Sequence, residues 1–315
     1  MRMKKLYLIL LLVGMALLCA ACSQQPPAAL VEDTPQGGQA ISAEPESGTE
    51  SQFTATLYFR YGDTSLLRQE TRQISLSPNE TRERALVSAL LEGSREPGSR
   101  PLFPEKAQVL STQTQAGVAF ITFNEALYDR YMDESRDRVE GALRRELALA
   151  ALTATLTETG DCHGVQVLVR AEENVGQSMR LRGSFLGRQD DAIVPLLTRQ
   201  HAALPTPRAY AEGLLTAWQQ RDAAALSDFI TLRSGAARGT EQALAASPVL
   251  VDFIAYDATV APGGERAVVC ADLTLRDQDG QESVLTGYPL CLVREGGAWK
   301  AAPDQLAAMM GENHD

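Results

Sequence analysis

From Phe53 to Tyr61 the chain alternates, with Ala55, Leu57 and Phe59 on one face and Thr54, Thr56 and Tyr58 on the other, the two-residue period of a strand. A second strand is predicted over Arg68 to Leu76. Ser77-Pro78-Asn79-Glu80 then offers an N-cap, a proline at the first helical position and the glutamate of a capping box. A helix is predicted from there to Glu92, because Ala85, Leu86, Ala89 and Leu90 recur at helical spacing and Gly93 is placed to end it. After a Pro- and Gly-rich loop, Ser94 to Pro104, the runs Ala107 to Gln113 and Val118 to Asn124 flank Thr114-Gln115-Ala116-Gly117 as a hairpin. From Ser135 to Thr159, Val139, Leu143, Leu147, Leu152 and Leu156 fall near one side of a long helix, which Gly160 stops before a strand at Val165 to Val169. The predicted order is strand, strand, helix, strand, strand, helix, strand.

Between Val175 and Leu204 the pattern weakens to short strands within Ser178 to Phe185, and Pro205-Thr206-Pro207 marks a boundary. Beyond it, Tyr210, Leu214, Leu215 and Trp218 line one face of a helix running to about Arg221, and a shorter helix is predicted over Asp222 to Ile230. Runs at Val249 to Val260, Arg266 to Arg276, Ser283 to Arg294 and Ala298 to Ala301 alternate with turn signals at Pro262-Gly263-Gly264, Asp279-Gly280 and Gly296-Gly297. They predict an antiparallel meander. Helices followed by a curved antiparallel sheet resemble the NTF2-like (cystatin-like) fold over residues 206 to 312. The fold class is α+β.

The amino-terminal end changes the picture. Arg2, Lys4 and Lys5 precede an apolar run, Leu6 to Ala21, which closes on Cys19-Ala20-Ala21-Cys22. The run is shorter than the ~20 residues of a spanning helix and has the layout of a secretory signal. Ala20, Ala21 and Ser23 around Cys22 resemble a lipobox, which implies that Cys22 receives a diacylglyceryl group and, after cleavage, becomes the mature terminus. An ordinary cleaved signal releasing a soluble protein is the alternative. Residues 23 to 52 are Pro, Gly, Gln, Ser and acidic residues with little to bury, a tether with an end-to-end distance on the order of 30 Å. The predicted division is therefore signal 1–21, lipidated Cys22 and tether 22–52, a domain at 53–172, a connector 173–205 and a domain at 206–315. The expected place is the outer face of the cytoplasmic membrane.

Residues 1–21 hold three of the 29 Lys+Arg and none of the 40 Asp+Glu, so the remainder carries about 14 net negative charges. That balance argues against a nucleic-acid partner, and against a basic patch as the source of membrane attachment.

The segments LVSALLEGS (86–94), GVAFITFNEAL (117–127) and ALTATLTETGDCHGVQVLV (151–169) resemble the GerMN domain of sporulation and spore germination, over roughly residues 53 to 172. The resemblance implies a small α/β domain related to ring-building modules of sporulation machinery and found on envelope lipoproteins, with no enzyme activity attached. The expected partners are the membrane, through Cys22, and envelope or sporulation proteins.

Candidate chemistry is sparse. His163, His201 and His314 lie in a turn, a linker and the C-terminus, without Cys, Asp or Glu at zinc-ligand spacing. Adjacent Cys162 and His163 lack the spatial approach that an activated thiol needs. Glu172-Glu173 and Asp190-Asp191 read as solvated surface, and the glycine pairs at 263–264 and 296–297 read as hairpin turns rather than a phosphate loop. No catalytic residue, metal site or cofactor is expected. Cys270 and Cys291 would face each other across a hairpin with a loop at Asp279 to Glu282, on the face opposite Leu273, Leu275, Leu290 and Leu292. An oxidising compartment would let them bond, whereas a register shift would separate them. Two function classes remain: a non-catalytic envelope assembly module, and a small-molecule binder or weak hydrolase built on the NTF2-like domain.

Overall fold

The structure is a computed structural model, describing residues 51–131, 138–159, 162–171, 177–231, 240–303, 305 and 308. The signal, Cys22, Glu172-Glu173 and His314 lie outside the described residues. The described residues belong to one compact unit and hold two hydrophobic cores.

The N-terminal lobe starts with the hairpin β1 (Ser51–Tyr61) and β2 (Leu67–Leu76), joined on the other side of β1 by the short β3 (Ser99–Arg100). β1 takes the last two residues assigned above to the tether, Ser51 and Gln52. A second sheet, in the order β4-β5-β6-β7, comprises β4 (Val109–Gln115), β5 (Val118–Asn124), β6 (Gly164–Arg170) and β7 (Met179–Arg180). β5 and β6 run parallel, as a crossover through a helix requires. Two helices complete the lobe: α1 (Arg82–Glu92) and α2 (Arg138–Thr159), whose Ala148, Leu149, Ala151, Leu152 and Leu156 are buried between the sheets.

α1 begins later than its sequence signals indicate. Ser77 to Glu80 make a turn closed by the Glu80 N–H to the Ser77 carbonyl (3.0 Å), and Thr81 caps the helix by accepting from the Arg84 N–H at 3.2 Å. Thr81 competes better for the role because Pro78 suits a turn as well as a helix start.

In the C-terminal lobe, α3 (Pro207–Gln219), α4 (Ala223–Asp228) and α5 (Thr240–Ala246) precede a curled antiparallel sheet in the order β12-β11-β10-β8. Its strands are β8 (Val249–Ala255), β10 (Arg266–Arg276), β11 (Glu282–Glu295) and β12 (Ala298–Ala301), and β9 (Thr259–Val260) pairs with β10. Tyr210, Leu214, Leu215 and Trp218 of α3 are all buried against this sheet. The Trp218 indole also donates to the Ser247 hydroxyl and the Pro248 carbonyl, both at 3.2 Å.

The β10–β11 register corrects the face-to-face placement of the two cysteines. Their turn spans Asp277 to Gln281, with Arg276 opposite Glu282, and a bulge gives β11 one extra residue beside Asp272. Cys270 therefore lies opposite Pro289 and Cys291 opposite Val268, two places out of step, and both thiols are free and exposed.

Candidate functional site

The residues with catalytic potential are held apart. Cys162 is buried, its thiol donating to the Leu156 carbonyl (3.3 Å), while exposed His163 sets its ring beside Gly117. Asp191 is engaged by Arg182 and by the Ser184 hydroxyl, both at 3.0 Å, so the Asp190-Asp191 pair shapes a surface loop. His201 is exposed in a short 3-10 turn. Among the described residues no group of three His, Cys, Asp or Glu could hold a metal ion.

The densest polar chemistry joins the two lobes. Tyr61 and Leu66, from the β1–β2 hairpin, belong to the C-terminal core, where the Tyr61 ring lies 5.3 Å from Tyr210 and 6.2 Å from Phe229. Tyr61 donates its hydroxyl to the Asp228 carbonyl, and Tyr210 donates to that of Leu67 at 3.0 Å. On the other side of the hairpin the Gln69 N–H donates to the Gly297 carbonyl (3.2 Å), Arg294 to the Gln69 side chain, and Arg68 to the carbonyls of Gly296 and Pro97.

Burial pushes the Tyr61 hydroxyl far above its ordinary range, and neighbouring Asp228 adds to it. The Asp228 carboxyl is raised by its own burial against the opposing pull of Lys300. Lys300 is lowered by burial, partly offset by Glu295. Perturbed groups of this kind often mark reactive sites. Here the nearby cavity of about 430 Å³, between α3, α4 and the hairpin, is lined by Thr64, Leu66, Gly213, Thr216 and Phe229, and neither Asp228 nor Lys300 reaches it. The arrangement works as a joint. A cleft of about 530 Å³ in the N-terminal lobe lies between Leu90, Leu91, Leu102, Phe103, Pro104 and Tyr131, with Glu92 and Arg100 at hand. It offers an apolar seat, with no nucleophile–base pair among its lining residues.

A second polar cluster fixes α1. Glu70 accepts from the Ser94 hydroxyl (2.7 Å), the Arg95 N–H (3.1 Å) and Arg72, while Arg72 also donates to the carbonyls of Ala89 in α1 and of the C-cap Gly93 at 3.3 and 3.0 Å. Burial alone would raise the Glu70 carboxyl, but the bonds from Ser94 and Arg72 outweigh it and hold it below its usual 4.5. A depressed carboxyl stabilises the fold above its unfolded value, and that contribution is lost as pH falls through the folded value. Glu70→Gln should therefore flatten the acid-side decline of the urea midpoint. An unchanged decline would assign it to other carboxylates.

The fold is thus a mixed α/β lobe docked on a helix-then-sheet lobe. Residues 56–174 match the family model described as Germane, sporulation and spore germination, so the N-terminal lobe is similar to that family. Among solved structures, the tandem GerMN domains of the sporulation protein GerM from Bacillus subtilis are 18% identical, with a TM-score of 0.29 over 41% of this chain and 44% of that one. The first GerMN domain of the same protein is 15% identical, with a TM-score of 0.32 over 47% of this chain and 98% of that one. This chain thus spans less than half of the tandem structure. No curated protein matches. The family match ends at residue 174, leaving the NTF2-like resemblance of residues 206 to 312 to rest on element order.

Proposed function

We propose that the protein is an extracytoplasmic lipoprotein, held on the outer face of the cytoplasmic membrane by lipid on Cys22, whose GerMN-like lobe acts by protein–protein association in sporulation or germination. The observation that carries this reading is the family match over residues 56–174. The signal-like run before Cys22 and the tether to residue 52 support the anchoring. The engagement of Tyr61, Glu70, Asp228 and Lys300 in internal contacts supports a non-catalytic role. In this reading residues 53–172 are the assembly domain, 173–205 connect it, and 206–315 add a second docking surface, so that two weak contacts combine through effective concentration.

Cys22→Ala is expected to abolish fatty-acid labelling and leave an uncleaved precursor, because acylation and the cleavage that follows both depend on that thiol. Normal labelling of this variant would reject the lipoprotein assignment. For the association, the full chain is cross-linked in its own cells and recovered from vegetative and sporulating cultures. Stage-specific envelope partners are the expected result, and equal recovery from both cultures would overturn the sporulation role.

A further inference from the structure

Among the described residues one face of the C-terminal sheet is uncovered, with Gln305 bonded at its edge to the Cys291 N–H (3.1 Å) and the Pro289 carbonyl (2.7 Å). Leu273, Leu290 and Leu292 point into the core, and on the opposite side alternation brings up Ile254, Val268, Cys270, Val284, Pro289 and Cys291, all exposed. A solvated face of an antiparallel sheet ordinarily carries polar residues. Ile254 and Val284 are 56% and 64% exposed, so this face is apolar where water should be. The register sets the residues in neighbouring rows: Val268 lies between Thr259 and Cys291, Cys270 beside Pro289, and Thr274 between Asp252 and Val284.

The charges sit mainly at the ends of the rows. Arg266 occupies one end, and Asp252 with Glu282, which pairs with Arg276, occupies the other. Asp272 lies between them, with its carboxylate engaged by the Tyr256 hydroxyl and the Gly287 N–H, both at 2.7 Å. Such a pattern is self-complementary under a two-fold axis, because turning the face over sets its basic end on its acidic end.

We propose that this face associates with the same face of a second copy of the chain, Arg266 of each copy meeting the acidic end of the other across the apolar rows. The contact is independent of the GerMN-like lobe. Three strands spaced by about 4.8 Å over roughly 30 Å give a footprint on the order of 400 Å². A stable interface takes about 800 Å² from each partner, so the association is weak and reversible. The two thiols lie inside the footprint and report on it. A disulfide donor such as oxidised glutathione takes two electrons from one thiol of each copy. One S–S bond forms between the copies as the S–S bond of the glutathione breaks, and the two thiol protons leave on the two reduced glutathione molecules released.

The test exposes extracts of cells making the full chain to oxidised glutathione, with soluble and membrane fractions both run on non-reducing gels. A covalent dimer is expected from the unaltered chain and should vanish in Cys270→Ser/Cys291→Ser. Val268→Asp and, separately, Val284→Asp should cut the dimer yield at least tenfold with the thiols intact, whereas Val139→Asp, an exposed valine of α2, should not. Two variants on the face guard against misfolding in one. Dimer yields unaffected by both aspartates, a bond formed only within one chain, or cross-linking to a different protein would each overturn the proposal.

Discussion

Arg60→Ala is expected to lower the unfolding free energy by roughly 3–5 kcal/mol, the cost of breaking a buried ion pair by removing one partner. Arg60 is fully buried at 0% exposure, and its guanidinium donates to both Glu140 oxygens and to the carbonyls of Asp63 and Thr64, the latter two at 2.8 Å. Without it those loop carbonyls lose their donor, and the tip of the β1–β2 hairpin loses the support that presents Tyr61 and Leu66 to the other lobe. A domain has only about 5–15 kcal/mol in total, so the variant should unfold at a much lower urea concentration. Glu140 retains some solvent access, which places the cost at the lower end of the range. A midpoint shift worth less than about 1 kcal/mol would show that the loop is held by other contacts.

The second large effect is expected at the joint. A Cβ on Gly297 would stand 1.7 Å from the Gln69 carbonyl oxygen, and Gly297 has a φ of +76°. Gly297→Ala must therefore drive the β11–β12 turn away from β2, at a cost of roughly 3 kcal/mol or more once strain and lost bonds combine. Neighbouring Gly296 offers an internal control. Its added Cβ would meet only the tip of the Arg68 side chain at 2.8 Å, and asparagine tolerates its φ of +55°, so Gly296→Asn should cost about 1 kcal/mol or less. Amide hydrogen exchange around Gln69 and Gly297 should accelerate in the first variant and stay near the unaltered rate in the second. Equal behaviour of the two would mean that the lobes do not meet through this turn.

Elements governed by local periodicity were legible in the sequence. The α+β class, the main strands and helices, the buried face of α3 and the C-terminal meander follow from alternation and helical spacing, whereas β3, α5 and the break between β8 and β9 do not. What escaped depends on distant partners. Alternation puts Arg68, Glu70 and Arg72 on one face of β2, yet that face is buried, because the end of α1 and the following loop supply donors and acceptors for all three. The strand that reads as half-exposed, β1, is buried at every position from Leu57 to Tyr61. Nothing near Tyr61 in sequence announces that its ring belongs to the core formed by Tyr210 and Phe229. The cysteine placement failed for a smaller reason: the turn closes three places away from the expected register and the bulge restores one, leaving a displacement of two residues. For the candidate site, the structure sets the Cys162 thiol on the Leu156 carbonyl and the His163 ring beside Gly117, and the sequence carries no sign of the Tyr61–Asp228–Lys300 joint.

The helix threonines have a role that alternation conceals. β3 pairs with β1 only at Arg60 and Tyr61, which leaves the earlier N–H groups on that edge without a strand. Thr155 accepts from the Tyr58 N–H at 3.2 Å and Thr159 from the Thr56 N–H at 3.3 Å. Two hydroxyls on α2 thus stand in for a missing neighbour strand. An open edge is a template on which foreign chains add themselves, and this one is sealed from within. Strand addition at this edge of β1 would first have to displace these two threonines and the helix that carries them.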